Sequence, residues 1–193
     1  MVPAIVLAGG ASRRMGRAKA LLPAGGSTFV RRVLDTLRLG GVADVVVVVR
    51  PDTAEVVREV DAANFGRAVT NPEPDRGQLS SLLVGLDAVD RADVDAVLVT
   101  LVDVPLVRPA TVAALLARAR VSRAPILRAV HDGRHGHPVI FTRAVFADLR
   151  AADPAVGAKA VLRAHPVEDV EVADPGVFVD VDTPDDYARA MSQ

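Results

Sequence analysis

Short continuous apolar runs alternate with amphipathic segments along most of this chain. Four of the runs are candidate strands: Ala4 to Leu7, Val45 to Val49, Ala96 to Leu101 and Ile126 to Val130. Because their apolar residues follow one another without polar alternation, they are typical of strands covered on both faces in a parallel sheet. Helices are expected to provide that cover.

The segments between these runs place apolar residues every three or four positions, as one face of a helix does. In the clearest case an apolar stripe from Val30 to Leu37 follows an expected cap at Ser27 and ends at Gly40 and Gly41. Further helices are predicted at Val56 to Val60, Leu79 to Leu86, Pro109 to Ala119, Asp153 to about Arg163, and after Thr183, which is expected to form a capping box with Asp186.

This order of elements, βαβαβαβα, predicts an α/β fold: a three-layer α/β/α sandwich, Rossmann-like, with a mainly parallel sheet. One small antiparallel excursion is expected, in which His131 to Gly136 turns the chain between Ile126 to Val130 and Pro138 to Phe141. No linker interrupts the pattern, so residues 1–193 are expected to form a single domain. In such sheets ligands bind beyond the carboxyl ends of the strands.

Composition removes several classes of function. The 193 residues carry 24 acidic and 23 basic groups and only 3% aromatics, which argues against nucleic-acid binding. The absence of cysteine excludes thiolate metal sites and a cysteine nucleophile. No apolar run approaches the roughly 18 residues of a membrane span, and the first basic residues follow the first apolar run, so we expect no membrane association and a cytoplasmic location.

About twenty residues, LAGGASRRMGRAKALLPAGG, separate the first strand from the first helix, where most such connections take two to six. Glycines there permit a nest of backbone amides, and four basic residues add positive charge: Gly9, Gly10 and Gly16, with Arg13, Arg14, Arg17 and Lys19. The pattern favours a polyphosphate ligand, although an Arg-rich solvated loop with glycine turns has the same composition. Neither the P-loop motif nor G-x-G-x-x-G is present.

Acidic residues follow two apolar segments. Asp103 comes directly after a buried strand, where a carboxylate could hold Mg²⁺. Asp180 and Asp182 follow the last apolar strand and would share a face in extended backbone. Asp182 could equally serve only the start of the last helix, together with Asp185.

Two polar segments remain open to interpretation. Ser80 and Ser81 could either cap the helix that contains Leu79 or present hydroxyls and amides to a nucleotide. His131, His135 and His137 raise the hypothesis of a zinc site, but solvated loop histidines are the favoured interpretation because Gly136 and Pro138 indicate a turn and no cysteine is close in sequence.

The opening segment LAGGASRRMGRAKALL resembles the first motif of the MobA-like nucleotidyltransferases, which include molybdenum cofactor guanylyltransferases and cytidylyltransferases, and the likeness extends from Pro3 to about Tyr187. It implies a base bound by the backbone of the first motif, a triphosphate held by its basic residues, Mg²⁺ on two aspartates and an acceptor pocket near the segment GHP. The ligand-binding residues carried over, including the acceptor-side residues of GHP, are Leu7, Ala8, Gly9, Gly10, Ser12, Arg13, Lys19, Asn71, Gly77, Ser80, Ser81, Asp103, Gly136, His137 and Pro138. Arg13, Lys19 and Asp103 are the implied catalytic residues, and Asp103 and Asp182 the implied metal ligands.

The resemblance implies transfer of a nucleoside monophosphate from an NTP to the phosphate of molybdopterin, with transient contact to a molybdoenzyme or its chaperone. LAGG is closer to the guanylyltransferase motif, whereas SSL and GHPVIF are closer to the cytidylyltransferase motifs, so CTP is expected over GTP. A sugar-1-phosphate or other small-phosphate nucleotidyltransferase, and a non-catalytic nucleotide sensor, remain alternatives.

Overall fold

The computed structural model describes residues 1–10 and 18–192, and these contain a seven-stranded mixed sheet with helices on both faces. The strands are β1 Ala4–Leu7, β2 Pro23–Ala24, β3 Ser27–Thr28, β4 Val45–Val49, β5 Arg67–Thr70, β6 Ala96–Leu101, β7 Ile126–His131, β8 Arg134–Thr142 and β9 Val167–Glu171. The helices are α1 Phe29–Leu39, α2 Ala54–Ala62, α3 Gln78–Val89, α4 Pro109–Ala119, α5 Phe146–Ala151, α6 Lys159–Ala164 and α7 Pro184–Met191. Short 3₁₀ helices span Lys19–Leu21, Pro74–Arg76, Arg143–Val145 and Pro175–Phe178.

The strand order of the large sheet is β5-β4-β1-β6-β8-β7-β9. Every pairing in it is parallel except the two made by β8, which runs antiparallel to β6 and to β7. The predicted three-layer α/β fold with a mainly parallel sheet and one antiparallel excursion is therefore confirmed.

Apolar residues of the central strands alternate between two cores, one on each sheet face. Val45, Val47 and Val49 pack with α1, α2, α4 and α7, whereas Val46 and Val48 pack with α3, α5 and α6. This explains the continuous apolar runs, because both faces of the strands are buried. The two layers of helices leave the carboxyl ends of β1, β4 and β6 as an open edge.

Three boundaries differ from the sequence-based prediction. Thr28 rather than Ser27 caps α1 and accepts a hydrogen bond from the Arg31 amide, because the helix begins at Phe29 and Thr28 directly precedes it. The turn before β8 is only Asp132 and Gly133. Both have positive φ, as a type I′ hairpin requires, so the strand starts earlier than expected.

The helix expected from Asp153 begins only at Lys159. Asp153 instead closes one turn through its side chain and carbonyl, and Gly157, with φ +73°, ends that turn in a non-helical conformation. The segment before Asp180 was expected to be a strand but is the 3₁₀ helix Pro175–Phe178, and the last strand is β9. Among the described residues, no helix has both the length and the apolar character that crossing a membrane requires.

Candidate nucleotide-binding site

A cleft of about 620 Å³ opens at the carboxyl ends of β1 and β6. Its lining comes from six separate stretches of the described chain: Leu7, Ala8, Gly9, Gly10, Ala18, Lys19, Arg50, Thr53, Pro74, Asp75, Gly77, Gln78, Ser81, Leu101, Val102, Asp103 and Asp182. The cleft formed by the described residues therefore lies where it was expected, beyond the carboxyl ends of parallel strands.

The end of β1 forms one wall of this cleft. The Ala8 amide donates to the Val48 carbonyl at 2.9 Å, and the Leu7 carbonyl accepts from the Val102 amide at 3.1 Å. These two bonds tie the start of the glycine segment to both neighbouring strands. Gly9 and Gly10 therefore follow a strand end that is hydrogen-bonded on both sides, and they line the cleft.

Gly9 lies against the side chain of Ser81 at the start of α3. A Cβ built on Gly9 would lie 2.8 Å from Ser81 Oγ, which is closer than normal packing allows. Glycine at this position lets the two walls of the cleft approach each other.

A buried asparagine organises the second wall. Asn71 Nδ2 donates to Ser80 Oγ at 2.8 Å and to Ser81 Oγ at 3.0 Å, while its Oδ1 accepts from the Glu73 amide at 2.9 Å. Ser80 Oγ in turn donates to the Gly77 carbonyl at 2.8 Å. Asn71 and Ser80 thus hold the start of α3 in place, and Ser81 and Gly77 are the members of this group that line the cleft.

Lys19 and two aspartates meet at the end of β6. Lys19 Nζ lies 3.0 Å from Asp103 Oδ2 and also pairs with Asp182 Oδ1. The backbone supports this meeting because the Val181 amide donates to the Asp103 carbonyl at 2.9 Å. The side chain of Lys19 is only 14% exposed, so its ammonium group is largely shielded from water.

Burial and neighbouring charges shift the pKa values of Lys19 and Asp180. Burial acts to lower the pKa of Lys19, but the hydrogen bonds and negative charges of Asp182 and Asp103 outweigh it and leave the pKa above its ordinary value. Burial, followed by the charges of Asp103 and Asp182, raises the pKa of Asp180. Among the described residues, the carboxylates of Asp103, Asp180 and Asp182 therefore influence one another's charge around the ammonium group of Lys19.

Asp182 does not serve as the cap of α7. Thr183 caps that helix in the predicted capping box, accepting from the Asp186 amide while the Asp186 carboxylate accepts from the Thr183 amide. The carboxylate of Asp182 contacts Lys19 instead.

The residues present fit a hard divalent cation. Asp103 Oδ1 is buried and has no hydrogen-bond partner within residues 1–10 and 18–192. This orphaned oxygen and the Asp182 carboxylate, which pairs with the same Lys19 ammonium group, are oxygen donors of the kind that Mg²⁺ or Mn²⁺ prefers.

The segment Gly136, His137 and Pro138 lies at the start of β8 and is not part of the cleft lining described above. Gly136 packs on the Val177 carbonyl, 2.0 Å from where a Cβ would stand. Burial lowers the pKa of His137, opposed by a hydrogen bond with the Val99 backbone and by the charge of Asp103. Pro138 borders a separate cavity of about 10 Å³ between β6, α1 and α4. Of these three residues, His137 is the one on which the charge of Asp103 acts, and the predicted ligand contacts of the segment stay predictions.

The remaining predicted residues of the first motif, Ser12 and Arg13, lie outside the described residues, as do Arg14, Gly16 and Arg17. Their proposed contacts with the triphosphate stay predictions. Lys19 is the basic residue of this segment whose position is described.

Four polar residues of the lining were not predicted: Arg50, Thr53, Asp75 and Gln78. Arg50 Nη1 lies 3.3 Å from Asp75 Oδ1, and Thr53 Oγ1 donates to the Arg50 carbonyl at 2.7 Å. Arg50 directly follows the apolar run Val45 to Val49, so its place at the end of a predicted strand was the available signal.

The three clustered histidines do not form one site. Within the described ranges, the group of three side chains able to approach one ion is His131, Asp132 and Glu171, without His135 or His137. His131 Nδ1 lies 2.8 Å from the Val172 carbonyl, and His135 Nε2 lies 3.5 Å from Asp169.

The family model of the MobA-like NTP transferase domain matches residues 4–170. The chain belongs to this family of nucleotidyltransferases. The match covers the strands and helices that form the cleft, apart from the segment that contributes Asp182.

Individual relatives carry more than one named activity. The chain is 32% identical over 202 residues to a molybdenum cofactor guanylyltransferase of Rhodopseudomonas palustris, covering 97% of this chain and 90% of the relative. It is 32% identical over 203 residues to a nicotine blue oxidoreductase of Paenarthrobacter nicotinovorans, covering 98% and 96%. A solved structure of Rv0371c from Mycobacterium tuberculosis, in complex with manganese, matches with a TM-score of 0.81 and 29% identity, over 100% of this chain and 98% of that one.

Proposed function

We propose that this chain is a Mg²⁺-dependent enzyme that transfers a nucleoside monophosphate from an NTP to the phosphate of molybdopterin and releases pyrophosphate. The observation that carries the proposal is the meeting of Lys19, Asp103 and Asp182 at the bottom of a cleft whose wall is Leu7 to Gly10. A cation and a metal-binding carboxylate pair at one point suit the triphosphate of a nucleotide.

In the proposed reaction an oxygen of the acceptor phosphate bonds to the α-phosphorus, and the bond from that phosphorus to the pyrophosphate oxygen breaks. The electron pair leaves with pyrophosphate. Mg²⁺ supplies positive charge to phosphate oxygens when it is bound. Asp103 and Asp182 would hold it.

The protein's part is mainly positioning and electrostatic stabilisation. Lys19 supplies a compact positive charge for the outer phosphates. The glycine segment after β1 brings backbone close to the nucleoside, and the Asn71 hydrogen bonds fix Ser81 opposite it. The acceptor phosphate is ionised near neutral pH, so no side chain has to act as nucleophile or general base.

CTP is the proposed donor, and GTP is the second candidate. The segments SSL and GHPVIF favour CTP. LAGG and the guanylyltransferase name of the Rhodopseudomonas relative favour GTP. Turnover of CTP, GTP, ATP and UTP by the purified protein with molybdopterin, followed as pyrophosphate release, decides between them, and faster turnover of GTP would contradict the CTP proposal.

The acceptor is tested by the same assay. Release of pyrophosphate with sugar 1-phosphates but not with molybdopterin would identify a different small-phosphate nucleotidyltransferase. Tight binding of an NTP without pyrophosphate release from any acceptor would identify a nucleotide sensor.

The nicotine blue oxidoreductase relative motivates one further comparison, because it covers 98% of this chain. A dinucleotide has a pyrophosphate that the same cleft could accept. We favour nucleotidyl transfer, since an acidic pair such as Asp103 and Asp182 suits a metal–triphosphate complex better than a lone dinucleotide. Oxidation of NADH or NADPH in the presence of nicotine blue, without pyrophosphate release from any NTP, would overturn this choice.

A further inference from the structure

Lys19 pairs with the same two carboxylates that the proposed function assigns to a divalent cation, those of Asp103 and Asp182. Its Nζ is 3.0 Å from Asp103 Oδ2 and within hydrogen-bond distance of Asp182 Oδ1. Both partners come from distant parts of the chain, 84 and 163 residues away. The ammonium group is therefore a counter-ion that the two carboxylates share in this structure.

An ammonium group and a divalent ion cannot both occupy this position. They would compete for Asp182 Oδ1 and for the Asp103 carboxylate, where Lys19 pairs with Oδ2 and Oδ1 has no hydrogen-bond partner among the described residues. Two cations about 4 Å apart repel each other strongly where water is largely excluded. Lys19 and Asp103 are 14% and 22% exposed, so solvent screens this repulsion only in part.

We propose that Lys19 occupies the cation position of Asp103 and Asp182 until a metal–nucleotide complex arrives, so that metal binding depends on the nucleotide. A free divalent ion has to displace Lys19 and leaves its ammonium group beside a new positive charge. An ion that arrives on a triphosphate brings phosphate oxygens with which Lys19 can pair instead. This inference rests on the proposed function for the nature of the nucleotide but not for the competition itself.

The competition is tested by binding Mn²⁺ alone, measured from the electron paramagnetic resonance signal of the free ion. Lys19→Met should bind Mn²⁺ about tenfold or more tightly than the wild type, because one competing charge is gone. Lys159→Met is the matched control, since Lys159 is the second of the two lysines in the sequence and lies exposed on α6. Lys19→Arg keeps the charge and should bind Mn²⁺ as weakly as the wild type.

The dependence on nucleotide is tested by titrating the preformed Mn²⁺ complex of α,β-methylene-CTP into each protein by calorimetry. The wild type should bind this complex at least about tenfold more tightly than Mn²⁺ alone. In Lys19→Met the difference should shrink, because Mn²⁺ alone binds better and the complex binds worse.

A measurement on the wild type avoids any variant that folds poorly. Acetic anhydride labels lysine amines, and mass spectrometry gives the labelling rate of Lys19 relative to Lys159. Saturating Mn²⁺ should raise that ratio severalfold, because displacement from the carboxylates exposes the Lys19 amine.

Equal Mn²⁺ affinity of the wild type and Lys19→Met, or a labelling ratio that Mn²⁺ leaves unchanged, would overturn the inference. Failure of every NTP to react with molybdopterin, with the Mn²⁺ results as expected, would instead reject the proposed function and leave the competition standing.

Discussion

The ammonium nitrogen of Lys19 lies 3.0 Å from Oδ2 of Asp103, although 84 residues separate the two in the chain. Lys19 begins the short 3₁₀ helix that follows the glycine segment, and Asp103 follows the central strand β6. The pair joins the segment that follows β1 to the carboxylate side of the cleft. Substitutions here should affect ligands more than folding.

Asp103→Ala should lower pyrophosphate release by about 100-fold or more, because the phosphate charge loses the cation that this carboxylate would hold. The variant should remain folded, with an unchanged far-ultraviolet circular dichroism spectrum. Asp35→Asn, in an exposed pair with Arg38 on α1, is the control and should keep full activity. Wild-type turnover by Asp103→Ala at saturating Mg²⁺ would exclude the assigned role.

Gly9→Ala should weaken nucleotide binding about tenfold or more, because the new methyl carbon would lie 2.8 Å from Ser81 Oγ and would displace that side chain. Isothermal titration with CTP and GTP measures this loss. Ser81→Ala in the same chain removes the clashing oxygen and leaves the next atom at 3.8 Å, so the double variant should recover part of the affinity. A double variant no better than Gly9→Ala would show that the contact with Ser81 is not the cause.

Asp174→Ala should reduce the free energy of unfolding by about 2–4 kcal/mol. The Asp174 side chain is buried and accepts from the Arg108 amide at 2.8 Å, from Thr111 Oγ1 at 2.6 Å and from the Gly176 amide at 3.0 Å. Its loss leaves three donors without their acceptor. Urea denaturation gives the value, and Thr111→Val, which removes one of these bonds, should cost only about 1 kcal/mol.

Asp44→Asn should lower stability at neutral pH and have no effect at low pH. Burial acts to raise the pKa of Asp44, but hydrogen bonds from Arg67 and Arg91 outweigh it and hold the pKa below its usual value. The carboxylate therefore stabilises the folded state above an unfolded-state pKa of about 3.9, and this contribution is lost as the pH falls through the lower folded-state pKa.

We expect a difference of about 1 kcal/mol between Asp44→Asn and the wild type at pH 7, measured by urea denaturation. The difference should disappear as the pH falls through the lowered folded-state pKa of Asp44, because both chains are then uncharged at this position. A difference that persists below that pKa would mean that packing of the side chain, rather than its charge, accounts for the loss.

Much of the fold could be predicted because its signals are local. The run Val45 to Val49 is apolar at every position, which two buried sheet faces require, and Thr183 with Asp186 is a capping box within four residues. Errors occurred where two local patterns competed. Ser27 is a good cap by type but pairs with Ala24, and Asp153 closes a turn that Gly157 does not allow to continue as a helix.

Only part of the candidate site could be predicted from the sequence. Asp103 and the glycine segment could be recognised because each follows a predicted strand. Arg50 has the same relation to β4 but belongs to no motif, and only the folded chain places it opposite Gly9 in one cleft.

The sequence by itself determined the strands, most of the helices and the kinds of groups available at the sheet edge, because periodicity and capping act over a few residues. Only the tertiary structure decided that Asp182 turns to Lys19 rather than to its own helix, and that Asn71 and Ser80 hold the wall of the cleft from behind. Such contacts join residues that strand order and crossover connections bring together. Burial and charge at the place where they meet decide which side chains pair, and a local sequence pattern contains no information about that place.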